Sequence, residues 1–555
     1  MSPPNPSTAL ASVIIDELAR NGVGLVVLSP GSRSAALAIA AVGHPGIETR
    51  VVIDERSAAF HALGRAKASG EPAALICTSG SAPAHYFPGV VEADMSSTPL
   101  VVISADRPVE MHGIGSNQTI DQTEFYGKKV RGFAHIEAPE PGEDLNDRWR
   151  STVARLVQAS KGVEGSPGPV QLNVAFREPT VPVGDDGRST ADRYPFGVEG
   201  RPGGGAWSVA RSSPVPIEPL DMDGTNRAVV IAGDGYYDGP GLVREATRLG
   251  WPVLATVVSG LRGHDVVARY QHILAGGVPS HLQPSAAIVV GSIGPGDRLE
   301  RLASGAAREL RLDRWGRNLD PSHTADAVLH TDPVLSLEGV TGGAGTVWRE
   351  SWLEADSAVT AVLDPGDHLS GAAVAEALND IGWGWLVVGS SLAIRDADAH
   401  VRKAGRVVAN RGASGIDGFV STALGVASQG ERVLAVTGDL SFLHDSNGFI
   451  NDADDDLVVI VVDNDGGGLF DLLPQARHAP DFERLFIAPH GRDIGAVARL
   501  HHLGYVKVAN AGELVEHANS ALEAGGRTVI HVPVDRDTDL SVRASLDSSA
   551  TELFF

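Results

Sequence analysis

The sequence predicts an α/β protein built from three consecutive doubly wound domains with mainly parallel sheets. Short, uninterrupted runs of Val, Ile, Leu and Ala alternate with helix-like segments along most of the chain. Buried parallel strands read as continuous apolar runs of this kind. Most of these runs end in a turn rich in Gly, Ser, Pro or Asp. Because ligands of open α/β sheets bind beyond the carboxyl ends of the strands, we expect function in these turns.

The length of the chain also favours several domains. Its 555 residues are too many for a single hydrophobic core, since one domain usually contains roughly 100–200 residues. A stretch rich in Pro, Gly, Arg and Asp without a sustained period predicts a linker between the first two domains. We expect a first domain over 1–185, a linker over 186–225, a central α/β domain over 226–345 and a third domain over 346–555.

Composition restricts the partners and the compartment. The chain has 69 acidic side chains against 45 Lys and Arg, a formal net charge of −24. This charge opposes sequence-blind binding of nucleic acid, so an anionic substrate must meet a local basic pocket. Cys77 is the only cysteine, which rules out an intrachain disulfide and fits a reduced, cytoplasmic setting. The longest apolar runs are strand-sized, so we expect no membrane partner.

Two segments of the predicted third domain could hold a metal-bound diphosphate. Gly438-Asp439-Leu440 is followed, after an apolar strand, by Asp463-Asn464-Asp465 and Gly466-Gly467-Gly468. Mg²⁺ prefers hard oxygen ligands, and glycines let a backbone close on phosphates. Asp and Gly are also common in ordinary turns after strands. These segments alone therefore leave a structural interpretation equally open.

Glu55 follows the second apolar run, in the segment VVIDERS. A carboxyl group buried there beside a ligand would keep its proton and could exchange it with a heterocyclic nitrogen. The alternative is a carboxylate that stabilises the first turn of a helix.

Four arginines follow apolar runs in comparable turns. A guanidinium there can bind a carboxylate through two parallel hydrogen bonds. One such arginine would be an ordinary salt-bridging residue, whereas four predict a substrate with several negative charges. The four are Arg33, Arg107, Arg395 and Arg411. The polar stretch Gly115–Thr119 could orient a substrate or a cofactor ring. Zinc-hydrolase and serine-elbow motifs are missing from the sequence, so these chemistries lack support.

Together these motifs resemble the thiamine diphosphate enzymes, whose Pyr, central and PP domains are three α/β units. The segments SPGSR, IDERSAAF, SADRP, SNQT, NRGASGIDG, GDLSFLHD and DNDGGGLFDLLP are similar, in this order, to the MenD family. Members of that family are 2-succinyl-5-enolpyruvyl-6-hydroxy-3-cyclohexene-1-carboxylate synthases of menaquinone biosynthesis. The resemblance extends over residues 25 to 475.

The resemblance implies thiamine diphosphate with Mg²⁺ or Mn²⁺ as cofactors. Glu55 would bond N1′ of the aminopyrimidine of a cofactor held mainly by the other subunit, which implies a homodimer or a dimer of dimers. The implied metal ligands are Asp439, Asn464 and the carbonyl of Gly466. The family usually has Asn where this chain has Asp463, so Asp465 stays open as the alternative ligand. The implied cofactor-binding residues are Glu55, Ser391, Gly415, Ile416, Asp439, Leu440, Ser441, Asn464, Gly466, Gly467, Leu469 and Phe470.

The implied substrates are 2-oxoglutarate, which loses CO₂, and isochorismate, which accepts the remaining fragment by 1,4-addition. The implied substrate-binding residues are Ser32, Arg33, Arg107, Asn117, Gln118, Ser391, Arg395, Arg411, Phe470 and Leu473. The family places a Lys in a loop of the central domain, and Arg298 lies close to that position. Another 2-oxoacid decarboxylase or an acetolactate-type synthase is the alternative within the cofactor class. A catalytically silent binding protein is disfavoured because Glu55 and the metal ligands are present.

Overall fold

The structure is a computed structural model that describes residues 5–140, 142–182, 194–211, 215–222, 225–294, 296–343 and 345–555. In these residues the strands form three open sheets of six, five and six strands. All paired strands within the sheets run parallel. The predicted fold class, an α/β protein with three consecutive and mainly parallel sheets, is therefore confirmed.

The N-terminal part of the chain forms the first sheet. Its strands are β1 (Leu25–Leu28), β2 (Glu48–Val51), β3 (Ala73–Cys77), β4 (Leu100–Asp106), β5 (Phe133–Ile136) and β6 (Pro169–Ala175). Its helices are α1 (Pro6–Arg20), α2 (Ala35–Gly43), α3 (Glu55–Ser69), α4 (Ala82–His85), α5 (Phe87–Met95) and α6 (Asn146–Ser160). The strand order is β2-β1-β3-β4-β6-β5. The direction of winding therefore reverses between β1 and β3, where ligands of such sheets bind.

Both faces of the first sheet are buried. Successive side chains of a strand point to opposite faces. In β1, Val26 belongs to the same core as Leu10 of α1, whereas Val27 belongs to the core that contains Leu63 of α3. Two covered faces explain why these strands appear in the sequence as unbroken apolar runs.

The second sheet has the strand order β11-β10-β9-β7-β8. Its strands are β7 (Ala228–Ala232), β8 (Val253–Ala255), β9 (Ala286–Val290), β10 (Arg308–Asp313) and β11 (Ala327–His330). The helices of this part are α7 (Gly239–Arg248), α8 (Tyr270–Ile273), α9 (Arg298–Ser304), α10 (Pro333–Glu338) and α11 (Thr346–Val362). Helix α11 packs Trp352 into the core of this sheet, and its Trp348 Nε1 donates a hydrogen bond to the Ala228 carbonyl at 2.8 Å.

The third sheet has the strand order β13-β12-β14-β15-β17-β16. Its strands are β12 (Trp385–Val388), β13 (Arg406–Ala409), β14 (Val433–Gly438), β15 (Leu457–Asp463), β16 (Gly504–Lys507) and β17 (Arg527–Pro533). The helices that follow α11 are α12 (Gly371–Ala377), α13 (Leu392–His400), α14 (Phe419–Ala427), α15 (Asp439–His444), α16 (Gln475–His478), α17 (Ile494–Leu500), α18 (Ala511–Ala524) and α19 (Arg536–Thr551). Gly438 pairs with Val462, so Asp439 and Asp463 follow at the same level of the sheet.

The chain forms two compact units. The first comprises Met1–Ser213, Asn410–Glu431 and Ser441–Asp455, and the second comprises Pro214–Ala409, Arg432–Leu440 and Asp456–Phe555. The predicted domain boundaries stay predictions, and the one between residues 185 and 186 lies outside the described residues. Among the helices of the described ranges, none is both long enough and apolar enough to cross a membrane.

In the first unit, glycines let the backbones of α3 and α14 touch. A Cβ on Gly64 of α3 would lie 2.1 Å from the carbonyl oxygen of Thr422, and a Cβ on Gly425 of α14 would lie 2.0 Å from that of His61. Neither oxygen belongs to a flexible side chain that could move aside. This crossing fixes the helix that begins at Glu55 against the helix that follows Gly415 and Ile416.

We expect Gly64→Ala to lower the melting temperature, because the added methyl group must displace the backbone of α14. Overpacking of this kind costs roughly 1–3 kcal/mol of unfolding free energy. Gly43→Ala is the matched control, since a Cβ on this last residue of α2 would meet nothing within 4 Å. Thermal unfolding followed by circular dichroism compares the two variants. Equal melting temperatures would contradict the close packing of the two helices.

Candidate functional site

Four neighbouring strands of the first sheet bring polar residues to one edge. Glu55 follows β2, Arg33 follows β1, Ser79 follows β3 and Arg107 follows β4, and these strands are adjacent in that order. The carboxyl ends of parallel strands lie at the same edge of a sheet. The structure therefore places three of the predicted site residues in neighbouring turns.

Arg107 and Arg33 form a pair of cations at this edge. Arg107 is buried, and its Nη1 donates to Ser79 Oγ and, at 2.6 Å, to the carbonyl of Gln118. Burial, and then the charge of Arg33, lower the pKa of Arg107. Arg33 donates from Nη1 to the Phe176 carbonyl at 2.9 Å. An anionic ligand beside Arg107 would offset the effect of the Arg33 charge on it.

The loop Gly115–Thr119 folds back onto β3. Gln118 has a positive φ of 54°, and its Nε2 donates to the Ser79 carbonyl at 2.8 Å. Gln118 and Arg107 are thereby connected directly and through Ser79. Asn117 and Ser32 lie exposed on the same loops.

A buried acid holds the segment that contains Arg411, Gly415 and Ile416. The carboxylate of Glu92, on α5, accepts hydrogen bonds from the N–H groups of Gly412 at 2.9 Å and Ala413 at 2.6 Å. It also forms an ion pair with Lys67 Nζ at 2.9 Å. The side chain of Ile416 is exposed beyond this anchor. Glu92 is not among the predicted site residues, although an acid in an apolar helix is a recognisable signal.

The two motifs of the third sheet are joined by a direct hydrogen bond. Asp439, the first residue of α15, is buried, and its Oδ2 accepts the N–H of Gly466 at 2.8 Å. Its Oδ1 accepts the N–H of Leu440 at 2.6 Å. Leu440 and Ser441 continue α15. The step after β14 and the glycine-rich turn after β15 therefore form one site.

The neighbouring carboxyl groups of Asp439 and Asp463 have pKa values shifted in opposite directions. Burial, and next the hydrogen bond with Asp463, raise the pKa of Asp439 to about 6. Burial also opposes the ionisation of Asp463, but hydrogen bonds from His531 and from the N–H of Asp465 outweigh it and lower the pKa of Asp463 to about 2. A cation placed between the two carboxylates would stabilise the charged form of both.

Asn464 offers an open acceptor next to these carboxylates. Its Oδ1 is buried and has no hydrogen-bond partner among the described residues. A buried acceptor without a donor costs free energy that a bound cation would recover. The carboxylate of Asp465 instead accepts the N–H groups of His490 at 3.0 Å and Gly491 at 2.7 Å. The oxygen donors around Asp439 thus fit a hard divalent cation.

Glycine is required at position 466 by its surroundings. Gly466 has a φ of +135°, and a Cβ there would lie 2.2 Å from the carbonyl oxygen of Ile487. Gly467 donates its N–H to the same oxygen at 2.7 Å. The glycines therefore let the turn approach residues 486–487, in addition to any approach to phosphates that the sequence predicts.

Two histidines that are not among the predicted site residues complete this cluster. His490 Nε2 lies 3.2 Å from Asp439 Oδ2, and His531 Nε2 lies 2.9 Å from Asp463 Oδ2. One ligand atom each from Asp439, Asp463 and His490 lie within 4.8 Å of one another. A histidine inside the apolar strand β17 was a signal for His531. His490 follows a Pro in an irregular segment, and no sequence signal connects it to Asp439.

A cavity of about 520 Å³ in the second unit brings further predicted residues together. Arg395, Arg298, Leu469 and Leu473 all line it. Arg395 donates from Nη1 to the Ser391 carbonyl at 2.6 Å, and burial lowers its pKa. Arg298 Nη2 lies 2.7 Å from Asp547 Oδ2 on α19. The cavity thus combines an apolar wall of leucines with three guanidinium groups and three carboxylates, since Arg543, Asp297, Asp396 and Asp547 also line it.

Two predicted residues beside this cavity have constrained geometry. Ser391 has a positive φ of 71°, which is uncommon for serine and is typical of functional sites. The ring of Phe470 lies 5.4 Å from that of Phe486. This contact joins the glycine-rich turn to the segment that carries Ile487.

Comparison with known proteins gives two family matches. Residues 8–125 match a family described as thiamine pyrophosphate enzyme, N-terminal TPP binding domain, and residues 390–532 match the corresponding C-terminal TPP binding domain. The first match contains Glu55 and the second contains Asp439 and Asn464.

Relatives with one shared name match almost the whole chain. Relatives from three bacteria are called 2-succinyl-5-enolpyruvyl-6-hydroxy-3-cyclohexene-1-carboxylate synthase. The relative from Thermobifida fusca is 39% identical over 98% of this chain and 99% of its own. That from Rhodococcus erythropolis is 37% identical over 98% and 100%, and that from Myxococcus xanthus is 36% identical over 97% and 96%.

We expect Asn464→Leu to remove the rise in melting temperature that thiamine diphosphate and Mg²⁺ give the wild-type protein, because a ligand that binds the folded state stabilises it. Without these additions the variant should melt at or above the wild-type temperature, since its buried acceptor is gone. Differential scanning fluorimetry measures both effects. Asp465→Asn is the control and should keep the full rise. A lost rise in Asp465→Asn and a retained one in Asn464→Leu would assign the ligand to position 465.

Proposed function

The chain belongs to the 2-succinyl-5-enolpyruvyl-6-hydroxy-3-cyclohexene-1-carboxylate synthase family, and from this premise we propose the reaction that it catalyses. It decarboxylates 2-oxoglutarate and adds the remaining four-carbon fragment to isochorismate by 1,4-addition, as a transferase of menaquinone biosynthesis. The observation that carries this proposal is the match of the named relatives over at least 97% of the chain. The cation pair of Arg33 and Arg107 supports it independently.

The proposed cofactor is thiamine diphosphate with Mg²⁺ or Mn²⁺. When bound, thiamine diphosphate supplies the nucleophilic carbon and the electron sink for decarboxylation. The Asp439 carboxylate, the side-chain oxygen Oδ1 of Asn464 and the backbone carbonyl oxygen of Gly466 would hold the metal ion. Two observations support this choice of second ligand: Asn464 Oδ1 has no hydrogen-bond partner in the described part of the chain, and the Asp465 carboxylate already accepts two N–H groups.

Glu55 is the proposed proton-carrying group. It is half-buried at the first turn of α3, at the edge of the sheet that also carries Arg33 and Arg107. Its carboxyl group would hold a proton at N1′ of the aminopyrimidine ring. Ile416, exposed beyond the Glu92 anchor, would support the cofactor ring through an apolar contact.

The proposed substrates require several cations because both carry two carboxylates. Arg33 and Arg107 would bind one set of carboxylates, with Gln118 as a hydrogen-bond donor. Arg395 would bind another in the cavity of the second unit, and Arg298 would replace the lysine of the family there. Leu469, Leu473 and Phe470 would pack against the carbon skeleton, and Ser32, Asn117, Ser391 and Arg411 complete the proposed set.

We also propose a cytoplasmic homodimer, or a dimer of two such dimers. Each cofactor would contact Asp439 of one subunit and Glu55 of the other. Symmetric dimers are the commonest soluble assemblies, and a twofold axis creates two equivalent shared sites.

Substrate use tests the reaction. With thiamine diphosphate and Mg²⁺, the purified protein should release CO₂ from 2-oxoglutarate and form the succinylated product when isochorismate is present. Pyruvate should release none, because it lacks the second carboxylate that an arginine would bind. Coupled CO₂ detection and mass spectrometry of the product measure both. Release from pyruvate but not from 2-oxoglutarate would favour an acetolactate-type synthase or another decarboxylase.

Glu55→Gln should lower the turnover number at least about 100-fold, the usual contribution of a proton-transferring side chain. Glu71→Gln, which changes an exposed carboxylate of the same unit, is the matched control and should keep full activity. Steady-state kinetics at saturating cofactor measures both variants.

A hybrid experiment then tests the shared site. Glu55→Gln and Asp439→Asn subunits are coexpressed with different tags, and each variant alone should be inactive. Random pairing should restore about a quarter of the wild-type activity, since half of the dimers then contain one intact site of two. An inactive mixture would show that Glu55 and Asp439 act within one subunit.

A further inference from the structure

His490 belongs to a segment that contacts the proposed metal site. Its side chain is 11% exposed, and its Nε2 lies 3.2 Å from Asp439 Oδ2. The preceding Ala488 has a positive φ of 50°, a strained conformation for alanine that surrounding contacts must hold in place. The imidazole therefore lies beside Asp439, one of the proposed metal ligands.

The hydrogen bonds of the ring fix which nitrogen carries the proton. The backbone N–H of Arg492 donates to His490 Nδ1 at 2.9 Å. Because a backbone N–H can only donate, Nδ1 must be the unprotonated acceptor. In the neutral ring the proton is then on Nε2, which faces Asp439 as a donor.

This tautomer distinguishes between two roles that His490 could have beside Asp439, that of a metal ligand and that of a hydrogen-bond donor. A metal ligand needs a lone pair on Nε2, and the bond from Arg492 leaves the proton on that atom. An Nε2–H group instead suits an anionic oxygen, to which charge-assisted hydrogen bonds are strong. In the structure that oxygen is Asp439 Oδ2. When Asp439 binds a cation, the donor becomes available to another oxygen.

Asp465 holds the segment in place. Its carboxylate accepts the N–H groups of His490 and Gly491 at 3.0 and 2.7 Å. The carbonyl of Ile487 accepts the N–H of Gly467, so the segment is tied to the glycine-rich turn at two points. The ring of His490 is thus positioned by the same turn that carries Asn464.

We propose that His490 is a diphosphate-binding residue, which donates a hydrogen bond from Nε2 to an oxygen of the cofactor's diphosphate. Asp465 is the positioning residue that holds its segment. This inference rests on the proposed thiamine diphosphate cofactor and adds a direct contact to it. Asp465 thus has a structural role beside the site and is not a metal ligand.

Binding measurements test this role without turnover. The affinity for thiamine diphosphate at saturating Mg²⁺ is measured by isothermal titration calorimetry, and Mn²⁺ binding without cofactor is measured by electron paramagnetic resonance. His490→Leu should raise the Kd of thiamine diphosphate about tenfold or more, the effect of losing one hydrogen bond to a charged group. His490→Gln keeps an N–H donor at the place of Nε2 and should stay within about threefold of wild type. The Mn²⁺ affinity should not fall in either variant.

Two further variants complete the design. His478→Leu, a change of an exposed histidine in α16, is the matched control and should bind as wild type. Asp465→Ala should weaken thiamine diphosphate binding as His490→Leu does, whereas Asp465→Asn keeps an acceptor and should not. Circular dichroism of each variant verifies the fold.

The outcomes distinguish this inference from the proposed function. Equal Kd values for wild type and His490→Leu would overturn the role of His490 alone. A weaker Mn²⁺ site in His490→Leu without cofactor would make His490 a metal ligand and also overturn it. A wild-type protein that does not bind thiamine diphosphate would overturn the proposed cofactor and this contact together.

Discussion

The burial of Asp439 beside Asp463 is the constraint on which the candidate metal site depends. Two carboxylates taken out of water cannot both be charged without cost, and the pKa of Asp439 is raised to about 6. Asp463 keeps its charge because His531 and the N–H of Asp465 donate to it. A cation bound between the two carboxylates would offset this cost, in agreement with the metal site that we propose.

The sheet geometry produces this arrangement from residues far apart in sequence. Strands β14 and β15 pair in parallel, with Gly438 opposite Val462, so the residues that follow them emerge side by side. The same rule applies in the first unit, where neighbouring strands carry Glu55, Arg33 and Arg107. Buried polar anchors then fix the loops, as Glu92 does for residues 412–413 and Asp465 for residues 490–491. Specific hydrogen bonds thus contribute to the positions of these loops.

The fold was predictable because both faces of the central strands are covered, which leaves a continuous apolar run as a local signal. The turns that carry Glu55, Arg107 and Asp439 were predictable for the same reason, since they directly follow such runs. The choice between Asn464 and Asp465 was not, because both side chains are oxygen donors in adjacent positions. It depends on where each side chain points, and only Asp465 is turned toward the 490–491 segment.

By itself, the sequence determined the α/β fold class, the family and the strand-end residues that bear charge. Local sequence patterns encode these features, namely the apolar runs, the turns that end them and the order of the motifs. The tertiary structure alone decided that His490 and His531 join Asp439 and Asp463, that Arg298 shares a cavity with Arg395, and that Glu92 anchors the loop before Ile416. Such contacts join residues distant along the chain, and their existence depends on strand register and backbone approach. The shifted pKa of Asp439 has the same origin, because burial and a neighbouring carboxylate exist only in the folded chain.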